Sequence, residues 1–274
     1  MTTPRILVIA GSDSGGGAGI QADIKTITML GGHAMTAITA VTAQNTLGVQ
    51  AVHLIPTDIV LAQIDSVVSD IGVDAVKIGM IGSAATAHAV ADRLEALDVP
   101  IIFDPVMIAT SGDSLADADT IAAFGRLMAL ASVVTPNLPE LEALGGEAAV
   151  MAHGGHLLVK GGHAEGYRVI DRLLSANGEL DRIEGEKIDT RHTHGTGCTL
   201  ASALACGLGA GLPIEQAFRQ AVRFVRHAIV AAPGLGQGHG PLGQQFVPPP
   251  RHPRESGDPA PTKKLGSRFR GNDE

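Results

Sequence analysis

Five consecutive residues, His194-Gly195-Thr196-Gly197-Cys198, put two glycines, a hydroxyl and a thiol directly before the run TLASALA (199–205). Glycine reaches backbone dihedrals that other residues avoid, and an Ala/Leu run has high helix propensity. The pattern predicts a tight turn feeding a helix, with Cys198 in its first turn. Unpaired N–H groups and the positive end of the helix dipole favour anions there, phosphate above all. The same field lowers a cysteine's pKa. An anion-binding turn (Gly195, Thr196, Gly197) beside a poised thiol suggests phosphoryl transfer with Cys198 as base. Taken alone, the motif reads more readily as a helix cap followed by a small buried cysteine.

Other residues could share that chemistry. Asp104 ends an apolar strand and precedes Pro105, which keeps it extended. Asn137 and Glu140 lie three apart around a helix start and so face the same way. Such oxygen donors suit Mg²⁺, which keeps several waters and takes one or two carboxylates plus phosphate oxygens; helix capping by Asn137 is the alternative. Lys160, at a strand end, could meet ATP phosphates as a point charge or be solvated. Gln44 offers a donor and an acceptor side by side, which fits the edge of a heteroaromatic ring. Met80 could touch a ligand or fill the core, and Asp23 could accept a substrate hydroxyl or face solvent.

The glycine loop GSDSGGGAG (11–19) resists two familiar readings. A dinucleotide fold would want an acidic residue about 20 positions on, yet residues 24–57 contain no Asp or Glu. A Walker-type loop needs Gly-Lys, and that pair is absent from the chain. The loop is therefore expected to floor or hinge a substrate pocket.

Composition narrows the field. The 274 residues carry a net charge of −8, with 3% aromatics and no Trp. The last 24 residues hold six Lys/Arg against four Asp/Glu, so the acidic charge belongs to the body. Such a body lacks the basic patches and stacking platforms of nucleic-acid binders. Cys198 and Cys206, eight apart on one expected helix, lie about 12 Å apart and cannot bridge. No run reaches membrane-spanning length and no signal peptide is evident. A cytoplasmic protein is expected, with neither a nucleic-acid nor a membrane partner.

These residues need a frame. Apolar runs at 5–10, 33–42, 74–79, 99–103, 132–135 and 156–160 read as strands. Helices are expected over 20–30, 57–71 (capped by Thr57 or Asp58), 83–97, 116–130, from 136, 199–209 and 213–231, with a hairpin about Asn177-Gly178. The alternation means βαβ units and a mostly parallel sheet with helices on both faces. Ligands then bind beyond the carboxyl ends of the strands, where Asp13 and the glycine loop, Gln44, Met80, Asp104, Asn137, Glu140, Lys160 and Gly195–Cys198 fall. One domain over 1–247 is expected. From residue 248 the composition turns to Pro, Gly, Arg and Ser without periodicity, and a disordered tail without function is expected over 248–274.

With these residues in place, the chain resembles the hydroxymethylpyrimidine/phosphomethylpyrimidine kinase family of thiamine biosynthesis, within the ribokinase-like superfamily. The likeness rests on AGSDSGGGAGIQADIKT (10–26), TAVTAQNT (39–46), VKIGMIG (76–82), FDPVM (103–107) with ATSG (109–112), TPNLPE (135–140), VKGGH (159–163) and THGTGCTLASA (193–203). It implies a three-layer α/β/α fold and transfer of the ATP γ-phosphate to a hydroxymethylpyrimidine, then to its monophosphate. It implies that Gln44 bonds the aminopyrimidine, that Gly11, Ala18, Met80 and Val106 surround the ring, and that Asp23 lies near the hydroxymethyl group. Asp104, Asn137 and Glu140 would serve Mg-ATP, Lys160 the phosphates, and Cys198 the proton. A homodimer is implied by resemblance only. A pyridoxal kinase of the same family and a non-catalytic pyrimidine-binding protein are the alternatives. The chain departs from the family pattern in the segment between Glu140 and Lys160, shorter by roughly one helix, in His192 where Asn is frequent, and in the C-terminal tail.

Overall fold

The computed structural model describes residues 3–163 and 166–248, so nearly all of the expected tail, 248–274, lies outside the described residues. In chain order the elements are β1 (Arg5–Asp13), α1 (Gly19–Met29), β2 (His33–Asn45), β3 (Gly48–Leu54), α2 (Thr57–Asp70), β4 (Ala75–Ile78), α3 (Ala84–Leu94), β5 (Ile101–Phe103), α4 (Ala118–Leu130), β6 (Val133–Val134), α5 (Leu138–Ala143), α6 (Glu147–Met151), β7 (His156–Val159), β8 (Arg168–Ser175), β9 (Gly178–Glu186), α7 (Thr196–Gly209) and α8 (Ile214–Val230).

Among the described residues the strands form one nine-stranded sheet, ordered β3-β2-β1-β4-β5-β6-β7-β8-β9. The middle six, β2 to β7 in that order, pair in parallel. Antiparallel strands close both edges. The inner strands read as unbroken apolar runs because helices cover both faces. Leu7, Ile9, Val76, Ile78 and Phe103 point into a core with α2, α3 and α4, where Phe103 and Phe124 meet edge to face at 5.1 Å. Ile6, Val8, Ile102 and Val133 point the other way, against α1, α7 and α8. This is the three-layer α/β/α arrangement expected.

The differences are local. β3 was not anticipated: GVQAVHL is half-exposed or exposed throughout, so it lacks the alternation that marks a strand with one buried face. β2 runs on through Gln44 to Asn45 because β3 pairs with it there. The first residue of α2 is Thr57 and its cap position is Pro56, with no side-chain cap, so neither Thr57 nor Asp58 caps it. Ser83 and Asp117 cap α3 and α4 by accepting the N–H groups of Thr86 and Thr120. In the shortened stretch before Lys160 one small helix, α6, remains, its Glu147 tied to Arg172 of β8 at 2.6 Å. The hairpin turns at Gly178, whose φ of 112° suits glycine.

Candidate active site

A cavity of about 770 Å³ opens at the carboxyl ends of β1, β2, β4, β5 and β7, closed on one side by the N-terminus of α7. Every candidate residue from the sequence lines it except Asp23. Gly195 has φ +87°, and a Cβ there would lie 1.9 Å from the Gly17 carbonyl oxygen. Only glycine lets the turn pack on the loop. A Cβ at Gly197 would come within 3.2 Å of Lys160 Nζ, so the turn, Lys160 and Asp104 share one wall.

Cys198 sits in the first turn of α7 as expected, and both cysteines are free. Its acidity is opposite to expectation. Burial pushes the thiol up to about 11; Lys77 opposes this, while the Asp23 and Asp104 carboxylates add to it. The helix field is outweighed by desolvation and two nearby negative charges.

Lys160 Nζ donates to Asp104 Oδ1 at 2.6 Å and lies 3.6 Å from Glu140 Oε2. Burial works to lower its pKa, but Asp104 and Glu140 raise it further, so the cation persists. Burial pushes the Glu140 carboxyl up, against the pull of Lys160. Asn137 and Glu140 form a reciprocal capping box: Asn137 Oδ1 accepts the Glu140 N–H and Glu140 Oε2 accepts the Asn137 N–H, each at 2.8 Å. Asn137 Oδ1 thus caps the helix, while the residue also lines the cavity. Asp104 Oδ2 and Glu140 Oε1 have no hydrogen-bond partner among the described residues. Nor is any group of three His, Cys, Asp or Glu among them arranged to hold a metal. The donors fit an ion held by one or two carboxylates, water and phosphate oxygens, as Mg²⁺ prefers.

At the other end Gln44, Met80, Gly11, Ala18 and Val106 come together. Met80 Sδ would stand 3.0 Å from a Cβ at Gly11, so the loop lies directly on it. Gln44 Oε1 accepts from Thr42 Oγ1 at 3.2 Å, and Gln44 Nε2 lies 3.3 Å from His194 Nε2. Asp23 does not reach this space. It is fully buried one layer behind, accepting from Lys77 Nζ at 3.0 and 3.1 Å and from Ser202 Oγ at 2.6 Å. A wholly buried carboxylate is held by partners rather than offered to a ligand.

Three features go beyond the sequence reading, which places Asp13 at the site but not its pairing with His194. Lys77, wholly buried on β4 yet lining the cavity, stays cationic: burial lowers its pKa, but Asp23, Cys198 and Asp104 raise it more. A lysine inside the apolar run AVKI was the available signal. Asp13 accepts the N–H groups of Gly15, Gly17 and Ala18 at 2.8–2.9 Å and pairs with His194. The cavity lining also takes in Val169, Ile188, Val222, Val225 and Ile229, apolar side chains from β8, α8 and the segment after β9. Residues so scattered leave no local pattern.

The family model described as phosphomethylpyrimidine kinase matches residues 13–243. The hydroxymethylpyrimidine/phosphomethylpyrimidine kinase of Rhizobium meliloti is 47% identical over 257 residues, covering 88% of this chain and 96% of the relative. Among solved structures, the ADP complex of Bacillus subtilis pyridoxal kinase superposes with a TM-score of 0.82 at 31% identity, covering 89% of this chain and 98% of that one. The Clostridium difficile phosphomethylpyrimidine kinase superposes with a TM-score of 0.71 at 34% identity, covering 83% and 100%. A match over most of the chain and a cavity holding the family's candidate residues lead to one assignment: the chain belongs to the phosphomethylpyrimidine kinase family.

Proposed function

We propose that the protein transfers the γ-phosphoryl group of ATP to the hydroxymethyl oxygen of 4-amino-5-hydroxymethyl-2-methylpyrimidine, and then a second phosphoryl group to the monophosphate, in thiamine biosynthesis. One observation carries the reading: a single cavity is lined by Gln44 and Met80 and also by the 195–198 turn, Lys160 and the apolar side chains of α8. The ring lies against Met80 and the glycine loop, its edge bonded by Gln44. The nucleotide base lies against Val222, Val225 and Ile229, and the phosphates run toward the turn. Asp104 and Glu140 are the residues that would hold Mg²⁺, which would supply neutralisation of phosphate charge.

The alcohol oxygen attacks γ-phosphorus in line, the bond to the β,γ-bridging oxygen breaks, and ADP leaves with that electron pair. The alcohol's proton passes to the Cys198 thiolate, held at the ring end of the turn. Lys160 and the N–H groups at residues 195–198 meet the charge on the transferred group, because phosphoryl transfer depends on positioning and electrostatics. The reading also takes residues 1–247 as one catalytic domain that works without residues 251–274, in the cytoplasm. It takes a homodimer through the exposed apolar side chains of Val41, Val52 and Leu54 at the β2–β3 edge.

The backbone likeness to a pyridoxal kinase supports a second substrate class. ATP consumption by purified protein with Mg²⁺, offered the pyrimidine, its monophosphate and pyridoxal in turn beside Cys198→Ala, decides between them. Turnover of both pyrimidines, lost in the variant, is expected. Turnover of pyridoxal alone moves the assignment, and binding without turnover makes the protein a sensor.

A further inference from the structure

His194 is 6% and Asp13 3% exposed, and neither has a part in the chemistry above. Asp13 Oδ2 lies 2.9 Å from His194 Nε2 while also accepting the N–H groups of Gly17 and Ala18 at 2.9 and 2.8 Å. Burial alone would push the Asp13 carboxyl up, but the bonds from His194, Ala18 and Gly15 outweigh it and hold it below the ordinary range. Asp13 is therefore an acceptor only, and the hydrogen between the two side chains sits on Nε2. That leaves Nδ1 to face Thr110 Oγ1 at 3.3 Å. It also leaves Nε2 with no lone pair for Gln44 Nε2, 3.3 Å away, so the nearby Gln44 N–H is not consumed by the histidine and stays available to a ring acceptor.

The backbone is as close as the side chains. A Cβ at Gly17 would fall 2.4 Å from His194 Cδ2, and one at Gly195 would fall 1.9 Å from the Gly17 oxygen. Loop and turn thus touch without an intervening side chain, and Asp13 binds both.

We propose that Asp13 and His194 are positioning residues that fix the ring-holding loop against the phosphate-holding turn, setting the distance between acceptor oxygen and phosphorus. This rests on the kinase reading and deepens it. The pair acts through the glycine loop at Gly17 and Ala18 and through the 195–198 turn, and touches no reacting atom.

The test is a double-mutant cycle with Asp13→Asn, His194→Ala and the pair together, plus His194→Gln, whose amide nitrogen can replace Nε2–H. Steady-state kinetics and calorimetric binding of the pyrimidine are both read. Each single variant is expected to lose about 100-fold in kcat/KM for the alcohol, the size of loss that an ångström of misplacement brings. KM for ATP should stay within about twofold, since the coupling concerns the acceptor end. The double variant should be no worse than either single one, and His194→Gln should recover to within about tenfold of wild type. Losses that multiply in the double variant, or a glutamine variant as impaired as the alanine one, overturn the proposal. Wild-type protein with no ATP-dependent turnover of either pyrimidine would instead sink the kinase reading. In that case coupled losses in pyrimidine affinity would still support the pair, and independent losses would overturn it.

Discussion

Lys77 Nζ lies 3.0 Å from Asp23 Oδ2 with neither side chain exposed, directly behind the cavity wall that carries Cys198. Ser202, which completes the carboxylate's bonds, is four residues beyond Cys198 on α7, so both face the same way. Lys77 stays cationic near the thiol and favours the thiolate, while its partner Asp23 works against it. Removing only the lysine strands a buried carboxylate, which costs about 3–5 kcal/mol. Lys77→Met should show that loss in denaturant unfolding, and Lys77→Met with Asp23→Leu should regain most of it. Turnover should stay low in both, because the thiolate has lost its cation. Full activity in the double variant would mean that Lys77 serves only the fold.

The pH dependence follows from Cys198. Its thiolate is the active form, and burial holds the thiol near 11 in the free protein. The active fraction therefore grows as pH rises and is small at neutrality. Over pH 7–10, kcat/KM for the pyrimidine alcohol should climb about tenfold per pH unit. Cys198→Ala should be slow and flat. A wild-type profile that levels off below pH 8 would show that the thiol is far more acidic than its burial implies.

Gly195 has no tolerable replacement. At φ +87° any other residue is strained, and its Cβ would enter the Gly17 carbonyl. Gly195→Ala should cost at least about 1–2 kcal/mol of stability from the left-handed backbone alone. A loss of about 100-fold in kcat is expected as the turn shifts. Thermal unfolding and single-turnover kinetics would measure the two effects.

Asn137 and Glu140 should separate on substitution. Asn137→Ala removes a cap worth about 0.5–2 kcal/mol and should lower the melting temperature with little change in Mg-ATP affinity. Glu140→Gln should weaken Mg-ATP binding, because Glu140 Oε1 is free to face the phosphate end. Equal losses of Mg-ATP affinity in both variants would place Asn137 in the metal's surroundings.

The sheet, its crossovers and the turn at Gly195 were legible because each has a local cause: unbroken β-branched runs, glycine stops and an Ala/Leu helix. The polar residues at strand ends were legible as a group, since parallel strands must deliver their carboxyl ends to one place. What could not be read was pairing. Asp23 looked like a ligand contact because nothing near it in sequence announces Lys77, 54 residues away. Asn137 reads as both cap and ligand because both roles need the same oxygen at the same helix start. The acidity of Cys198 was misjudged for the same reason: the helix end is written in sequence, whereas the two carboxylates and the burial come from the fold.

The contact between Asp13 and His194 joins positions 181 apart. Its consequence lies in biogenesis. A chain emerging N-terminus first can pair β1 with β2 early, but its glycine loop waits for a partner synthesised near the end. Contacts of such separation carry a loop-closure penalty and form late. The growing polypeptide thus lacks a catalytic site for most of its synthesis, and a product truncated before residue 194 would lack both that site and the α7 and α8 cover of one sheet face.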